Sequence, residues 1–447
     1  MHLVLILVAV IIFIVFATSR LKLNPFITLL LASFLAAFAF GLPLADIEKT
    51  IRAGFGNILG YIGLVIVLGT IIGVILERTG AAIVMAESVV KWLGERFPTL
   101  TMSLVGFIVS IPVFCDSGYV ILNSLKRSMA RTLNASPVAM TVALSTGLFA
   151  THTLVPPTPG PIAAAGNLGL ENNLGLVIAV GLVFAIIAAL AGLFWASRCK
   201  NLPSTELEQA EEAFEEAKQH YGELPSASKA FAPIFVPILL ICIGSFANYP
   251  TAPLGDGMVY DILNFLGKPL NALLIGLGFA LTLLQGNNKL EEFGRHTSKG
   301  LEVAAPIILI TGAGGAFGAV LAATPLGSYL GDTLSTLGLG VMMPFIVAAA
   351  LKSAQGSSTV ALVTASALVA PLLPQLGLDS ELGRVLTVMA VGAGAMTVSH
   401  ANDSYFWVVS QFSKMNVATA YKSHTTATLV MGLVTIACVW LTSLVAL

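Results

Sequence analysis

Leu174-Gly-Leu-Val-Ile-Ala-Val-Gly-Leu-Val-Phe-Ala-Ile-Ile-Ala-Ala-Leu-Ala-Gly-Leu-Phe-Trp-Ala196 contains no charged side chain. An apolar run of about 20 residues, wound as a helix, crosses the hydrocarbon core of a bilayer. Residues 3–19 and 427–447 have the same character. The bias extends along all 447 residues, which are 56% hydrophobic and only 10% charged. A soluble domain carries about 25% charged residues. One soluble core cannot hide this much apolar surface, so the expected partner is the lipid bilayer. The net charge of −1 gives no footing for a nucleic-acid partner. Cys115, Cys199, Cys242 and Cys438 are scattered and form no metal or disulfide framework, so free thiols and neither metal nor cofactor are expected. No Lys or Arg precedes the N-terminal apolar run, and no small-residue cleavage site follows it. It is expected to remain as the first span.

Hydropathy predicts an all-α polytopic membrane protein with about ten spans, at 3–19, 24–41, 57–76, 137–158, 174–196, 231–248, 268–285, 300–323, 385–410 and 425–446. Residues 101–124 and 340–374 are apolar but interrupted by small and polar residues, and are expected to be re-entrant hairpins. Irregular backbone at membrane depth is tolerated where protein or water covers it. With the N-terminus outside, 17 of the 22 basic residues fall on the inner side, as the positive-inside bias requires. The one long polar segment, 198–230, is then a cytoplasmic linker between a first membrane repeat, 1–197, and a second, 231–447. Each repeat holds about five spans and one hairpin. An odd number of spans turns the second repeat upside down, the inverted-repeat plan of many secondary transporters. Three echoes occur in the same order in both halves. Gly69–Leu76 matches Gly314–Leu321, Cys115–Leu122 matches Gln355–Leu362, and Thr151-His152-Thr153 matches Ser399-His400-Ala401.

Polar groups at membrane depth are costly and are candidates for function. Four interruptions qualify. Phe114-Cys115-Asp116-Ser117-Gly118 occupies the first hairpin tip, where Asp116 is a candidate proton carrier and Ser117 a candidate ligand. Its alternative is a tip cap. Thr151-His152-Thr153 runs into Pro156, Pro157, Pro159 and Pro161. Proline removes an N–H and restricts its predecessor, so the span is expected to unwind there and free backbone groups for a bound solute or ion, with Thr158 a candidate ligand and His152 a candidate for proton coupling; the alternative is the outer end of a span. Gln355-Gly356-Ser357-Ser358-Thr359 occupies the second tip. Its amide and hydroxyls, with the open N–H groups of the next half-helix, suit a carboxylate, and Lys352 lies one turn earlier. The alternative is a plain Ser/Thr cap. Ser399-His400-Ala401-Asn402-Asp403-Ser404 follows a glycine-rich run. Asn402 is a candidate ligand for substrate hydroxyls, and Asp403 and His400 are candidates for proton coupling. The glycine-rich stretch 311–318 lacks the Gly-Lys-Ser/Thr of a nucleotide loop and is assigned to close helix packing.

Taken together, Phe114–Gly118, His152–Pro157, Thr311–Phe317, Gly356–Thr359 with Ala370-Pro371, and Asn402–Trp407 resemble the gluconate permease family of bacterial symporters. The resemblance covers essentially the whole chain. It implies a multi-pass inner-membrane protein, proton-coupled uptake of gluconate or a related hexonate or hexuronate such as fructuronate, and membership of a wider group with paired hairpins, often dimeric, that works by an elevator movement. D-serine or glycerate is the alternative substrate. A channel and an intramembrane enzyme built on Cys115 and His152 are the remote rivals.

Overall fold

The computed structural model describes residues 2–93, 96–202, 221, 223–247, 257–285, 288–324, 340–401 and 403–447. Most of the expected linker and Asn402 lie outside them, as does the side chain of Gln355. No strand occurs among the described residues. The first half runs α1 (His2–Ser19), α2 (Pro25–Ala39), α3 (Leu44–Arg78), α4 (Ala81–Leu93), α5 (Pro98–Val109), α6 (Cys115–Thr132), α7 (Pro137–Leu154), α8 (Pro159–Asn167) and α9 (Leu174–Arg198). The second runs α10 (Ala227–Ala247), α11 (Met258–Gly267), α12 (Pro269–Leu281), α13 (Lys289–Ala322), α14 (Met342–Gln355), α15 (Ser358–Val369), α16 (Glu381–Met396), α17 (Ser404–Phe412), α18 (Val417–Ala420) and, after a π-helical turn at Tyr421–Thr425, α19 (Thr426–Ala446). Proline opens α2, α5, α7, α8 and α12, where its missing N–H costs nothing.

Six helical stretches among the described residues are long and apolar enough to cross a membrane, and a seventh if α11 and α12, bent by 70°, form one span. Two of the ten expected spans fall short of this for physical reasons. The 24–41 segment yields a helix of only 15 residues, and 385–410 splits into α16 and α17. Conversely, α3 and α13 reach 35 and 34 residues, because charged first turns continue the helices beyond their apolar parts. Helix α7 ends at Leu154, as its prolines require, but the break is short: Pro159 and Pro161 are absorbed into the first turn of α8.

Both expected hairpins are pairs of half-helices, α5–α6 broken at 110–114 and α14–α15 broken at Gly356-Ser357. Their packing follows one pattern in both halves. Within each half, the helix after the hairpin packs on the hairpin's first arm: α7 on α5, α16 on α14. Each contact closes on a glycine. A Cβ on Gly147 would lie 2.1 Å from the Ser103 carbonyl oxygen, and one on Gly394 would lie 2.4 Å from that of Phe345. Between halves the second arms exchange partners, α15 with α8 and α6 with α17. The long helices α3 and α13 lie against each other, and the glycine-rich stretch 311–318 faces Phe55, Ile58 and Val363. That stretch therefore serves close packing.

Candidate functional site

The exchange of arms brings four broken elements to one buried polar centre. Gly356 adopts φ 83, a left-handed conformation that glycine tolerates, and this ends α14 so that Lys352 can fold back. The Lys352 Nζ donates to the Gly356 carbonyl at 2.7 Å and pairs with Asp403 Oδ2 at 2.5 Å. Both side chains are at most 3% exposed. Asp403 also receives the Ser399 hydroxyl at 2.5 Å and caps α17 by accepting the Tyr405 N–H at 3.1 Å. Lys352 thus neither snorkels to the interface nor stands alone. A buried ion pair holds when further hydrogen bonds satisfy its remaining atoms, as these do.

The gap between α16 and α17 is strained. Val398, β-branched, sits at φ 58, a region costly for such residues. Its neighbour is fastened from the π-helical turn and α19: the Ser399 N–H donates to Thr428 Oγ1 at 2.9 Å, and the Thr425 hydroxyl donates to the Ser399 carbonyl at 2.6 Å. His424, in the π-helical turn, contacts Ser399 Oγ through Nε2 and Ser145 Oγ through Nδ1, each at 3.2 Å. Tyr405 donates its hydroxyl to the Ser145 carbonyl at 2.8 Å.

The first half contributes Asp116 and His152. Asp116 lies in the opening turn of α6, which packs against α17 where Asp403 is the cap residue, and is within electrostatic range of Lys352 and Asp403. Its Oδ1 is buried and has no hydrogen-bond partner among the described residues. The His152 ring stacks on Phe149 and tilts against Phe114, and its Nδ1 is also unpartnered among the described residues. Lys352 lies over the other ring neighbour, Phe149, at 5.4 Å from its centroid.

The remaining candidates divide. Ser357 caps α15 by accepting the Val360 N–H at 3.3 Å, and Ser358 is buried in the same first turn. Thr359 follows in that turn and is partly exposed. His400 Nε2 approaches the Ser353 carbonyl at 3.0 Å, tying the α16–α17 gap to α14. Thr158 is buried and donates to the carbonyls of Val155 and His152 at 2.7 and 3.1 Å, closing the end of α7. Ser117 follows Asp116 in the opening turn of α6 and is partly exposed.

Three participants escape a hydropathy scan. Lys126, one of the 17 basic residues assigned to the inner side, is fully buried. It donates to Thr141 Oγ1 at 2.8 Å, Ser413 Oγ at 2.9 Å and Tyr119 Oη at 3.3 Å, joining α6 and α7 to the end of α17. Its signal is the spacing Cys115, Tyr119, Leu122, Lys126, one helical face buried throughout. His424 stands in the polar run Tyr421–Thr426 outside the four interruptions, and Tyr405, though within Asn402–Trp407, carries no role in the sequence reading.

A family model described as GntP family permease matches residues 1–445. The chain belongs to this family. It is 32% identical to a gluconate permease of Pseudomonas aeruginosa, over 96% of this chain and 94% of that one. It is 33% identical to the D-serine transporter of Escherichia coli K12, over 97% of each. The crystal structure of the Alcanivorax borkumensis YdaH transporter superimposes with a TM-score of 0.67 at 14% identity, covering 94% of this chain and 98% of that one, a likeness of fold alone. The GntP-family chain is therefore a polytopic membrane transporter, and the buried centre is its candidate transport site.

Proposed function

We propose that this permease takes up a small hydroxylated carboxylate, gluconate or a related hexonate or hexuronate, together with protons across the bacterial inner membrane. The observation that carries this reading is the buried Lys352–Asp403 pair set at the turn before α15, beside a tip carboxylate, Asp116, with an unpartnered oxygen. The ammonium of Lys352 and the open N–H groups of the first α15 turn attract a carboxylate. Gln355, Ser357, Ser358, Thr359 and Asn402 are our candidates to meet its hydroxyls, together with Ser117 and Thr158. Asp116 is the first choice for the proton, because an oxygen without a donor is free to carry one. Asp403, His152 and His400 are the alternates. The exchanged packing of the two halves fits an inverted repeat; with it we read both termini as periplasmic, the 198–229 loop as cytoplasmic and the working unit as a homodimer.

A second reading has its own support. The unpartnered Asp116 oxygen would equally receive an ammonium, and the D-serine transporter of E. coli is as similar as the gluconate permease of P. aeruginosa. Uptake of labelled gluconate, fructuronate, glycerate and D-serine by cells making only this permease, with and without a protonophore, tests both. Protonophore-sensitive gluconate accumulation is expected, and accumulation of D-serine alone would replace the first reading by the second. Ser358→Ala should weaken binding of the accepted solute roughly 10- to 150-fold, the equivalent of losing about 1.5–3 kcal/mol for a hydrogen bond to a charged group. Unchanged affinity would remove Ser358 from the site.

A further inference from the structure

An unbroken chain of side-chain contacts leads from the buried ion pair to the π-helical turn. Lys352 Nζ and the Ser399 hydroxyl both meet Asp403 Oδ2, each at 2.5 Å. Ser399 Oγ meets His424 Nε2, and His424 Nδ1 meets Ser145 Oγ, each at 3.2 Å. Ser145 Oγ also lies 3.2 Å from the Val142 carbonyl oxygen. Each hydroxyl has one proton to give. The Asp403 carboxylate, facing an ammonium, only accepts, so the Ser399 proton goes to it. Ser399 Oγ is then the acceptor for His424, and Nε2 carries a hydrogen. Nδ1 is left as the nitrogen whose state can vary. With Nδ1 bare, the Ser145 hydroxyl donates to it. With Nδ1 protonated, the ring donates to Ser145 Oγ, and the Ser145 hydroxyl turns to the Val142 carbonyl. Ser145 and His424 are fully buried, where an unpaired donor or acceptor is costly. Neither form of the ring leaves one, and rotation of a single hydroxyl separates the two. Among the described residues, Tyr405 of α17 meets the ring edge-on, with centroids 5.3 Å apart, and Asp403 and Lys352 stand beyond Ser399. Of the other elements packed on the turn, α18 carries no titratable residue and α19 carries Cys438 further along the helix. His152 of α7 lies about two turns beyond Ser145, against Phe149 and Phe114. Tyr421 and Lys422 in the turn itself are exposed.

We infer, resting on the proton-coupled reading above, that His424 is a further proton site of the transport cycle, filled when the carboxylate of the solute engages Lys352. The ammonium is then shared between Asp403 and the solute, and Asp403 is short of positive charge. A buried charge needs such compensation. A proton from solution binds Nδ1, and no other bond breaks. The imidazolium supplies the missing charge through its Nε2–H and Ser399, as a charge-assisted hydrogen bond. The added anion is matched by the added cation, so the net charge of the buried centre is the same loaded and empty. When the solute leaves, Lys352 returns wholly to Asp403. Two cations then compete for one carboxylate, and Nδ1 gives its proton back to solution.

The test uses the full chain in proteoliposomes with labelled gluconate. The protons moved with each gluconate are read from the pH difference and the potassium-diffusion potential that just balance a fixed gluconate gradient. Exchange between equal internal and external pools needs no net proton movement and reports binding and movement alone. His424→Gln keeps an N–H near the Nε2 position for Ser399 but takes no proton. It is expected to exchange gluconate and to move one proton fewer with each gluconate than the wild type. An unchanged proton number would overturn the inference. So would loss of exchange at normal membrane abundance, which would make His424 a binding or structural group. Ser145→Ala removes the partner of Nδ1 in both states, a greater loss for the charged ring than for the neutral one. Half-maximal gradient-driven uptake should therefore move to lower pH by about one unit, with exchange retained. If His424→Gln does not reach the membrane, Ser145→Ala decides, and a wild-type pH profile there overturns the inference. Wild-type gluconate accumulation that is absent or ignores a protonophore refutes the coupled reading itself, and is seen before any variant is made.

Discussion

The two hairpins are built alike and finished differently. The second ends in a satisfied network: Lys352 holds Asp403 and the Gly356 carbonyl, Ser399 and the Tyr405 N–H complete Asp403, and Ser357 caps α15. The first ends in open valences. Phe114, at the cap position of α6, makes no side-chain cap, and Asp116 Oδ1 and His152 Nδ1 have no partners among the described residues. Buried polar groups are ordinarily paired, and each exception calls for an explanation. One half supplies a fixed scaffold of charge, and the other holds the groups still able to change state.

The largest expected effect follows from breaking the scaffold. Lys352→Met leaves Asp403 as an uncompensated buried carboxylate, at a cost of about 3–5 kcal/mol. Membrane abundance and thermal stability should collapse. The double variant Lys352→Met with Asp403→Asn removes both charges and should recover much of that stability without recovering transport. If the double variant is as unstable as the single, the pair is not the structural unit described here.

Asp116→Asn makes the opposite trade. The amide is nearly isosteric, and the unpartnered oxygen gives up no bond, so stability should change little. Gradient-driven accumulation should vanish while exchange between equal pools survives. Asp403→Asn, by contrast, strips the partner from Lys352 and should damage stability and exchange together. Matching behaviour in the two variants would abolish the distinction between the hairpins, and continued accumulation by Asp116→Asn would transfer the proton role to Asp403.

The breaks themselves were legible in the sequence, because each is made by local chemistry: prolines at 156–161, glycine and hydroxyls at 356–359, adjacent polar residues at 399–404. What joins them was not. Tyr119 meets Ser413, and Ser145 meets His424, across separations of 294 and 279 residues. A hydropathy window carries no information about which helices touch. Lys126 was misplaced for a related reason. Arg127 and Arg131 beside it imitate an inner loop, and only the period of its helix places it on the buried face. The lengths of α3 and α13 were underestimated because Asp46, Glu48, Lys49 and Arg52, like Lys289–Lys299, are helical yet polar.

The smallest expected effect concerns the cap that one hairpin has and the other lacks. Ser357 sits at φ −97, ψ 120, extended as a cap residue should be, and its hydroxyl oxygen accepts the Val360 N–H at 3.3 Å. Losing such a cap costs about 0.5–2 kcal/mol. If capping is all that Ser357 does, Ser357→Ala lowers thermal stability by that amount and leaves solute affinity within about twofold, well short of the tenfold that 1.4 kcal/mol of lost binding represents. If its hydroxyl also donates to the bound carboxylate, affinity falls at least tenfold as well, since the donor proton is not used in the cap and remains available to the solute. Ser357→Thr keeps the hydroxyl and should restore both quantities. A loss of stability that threonine restores, with affinity unmoved throughout, would make Ser357 a cap alone and leave recognition at this tip to Ser358 and Thr359.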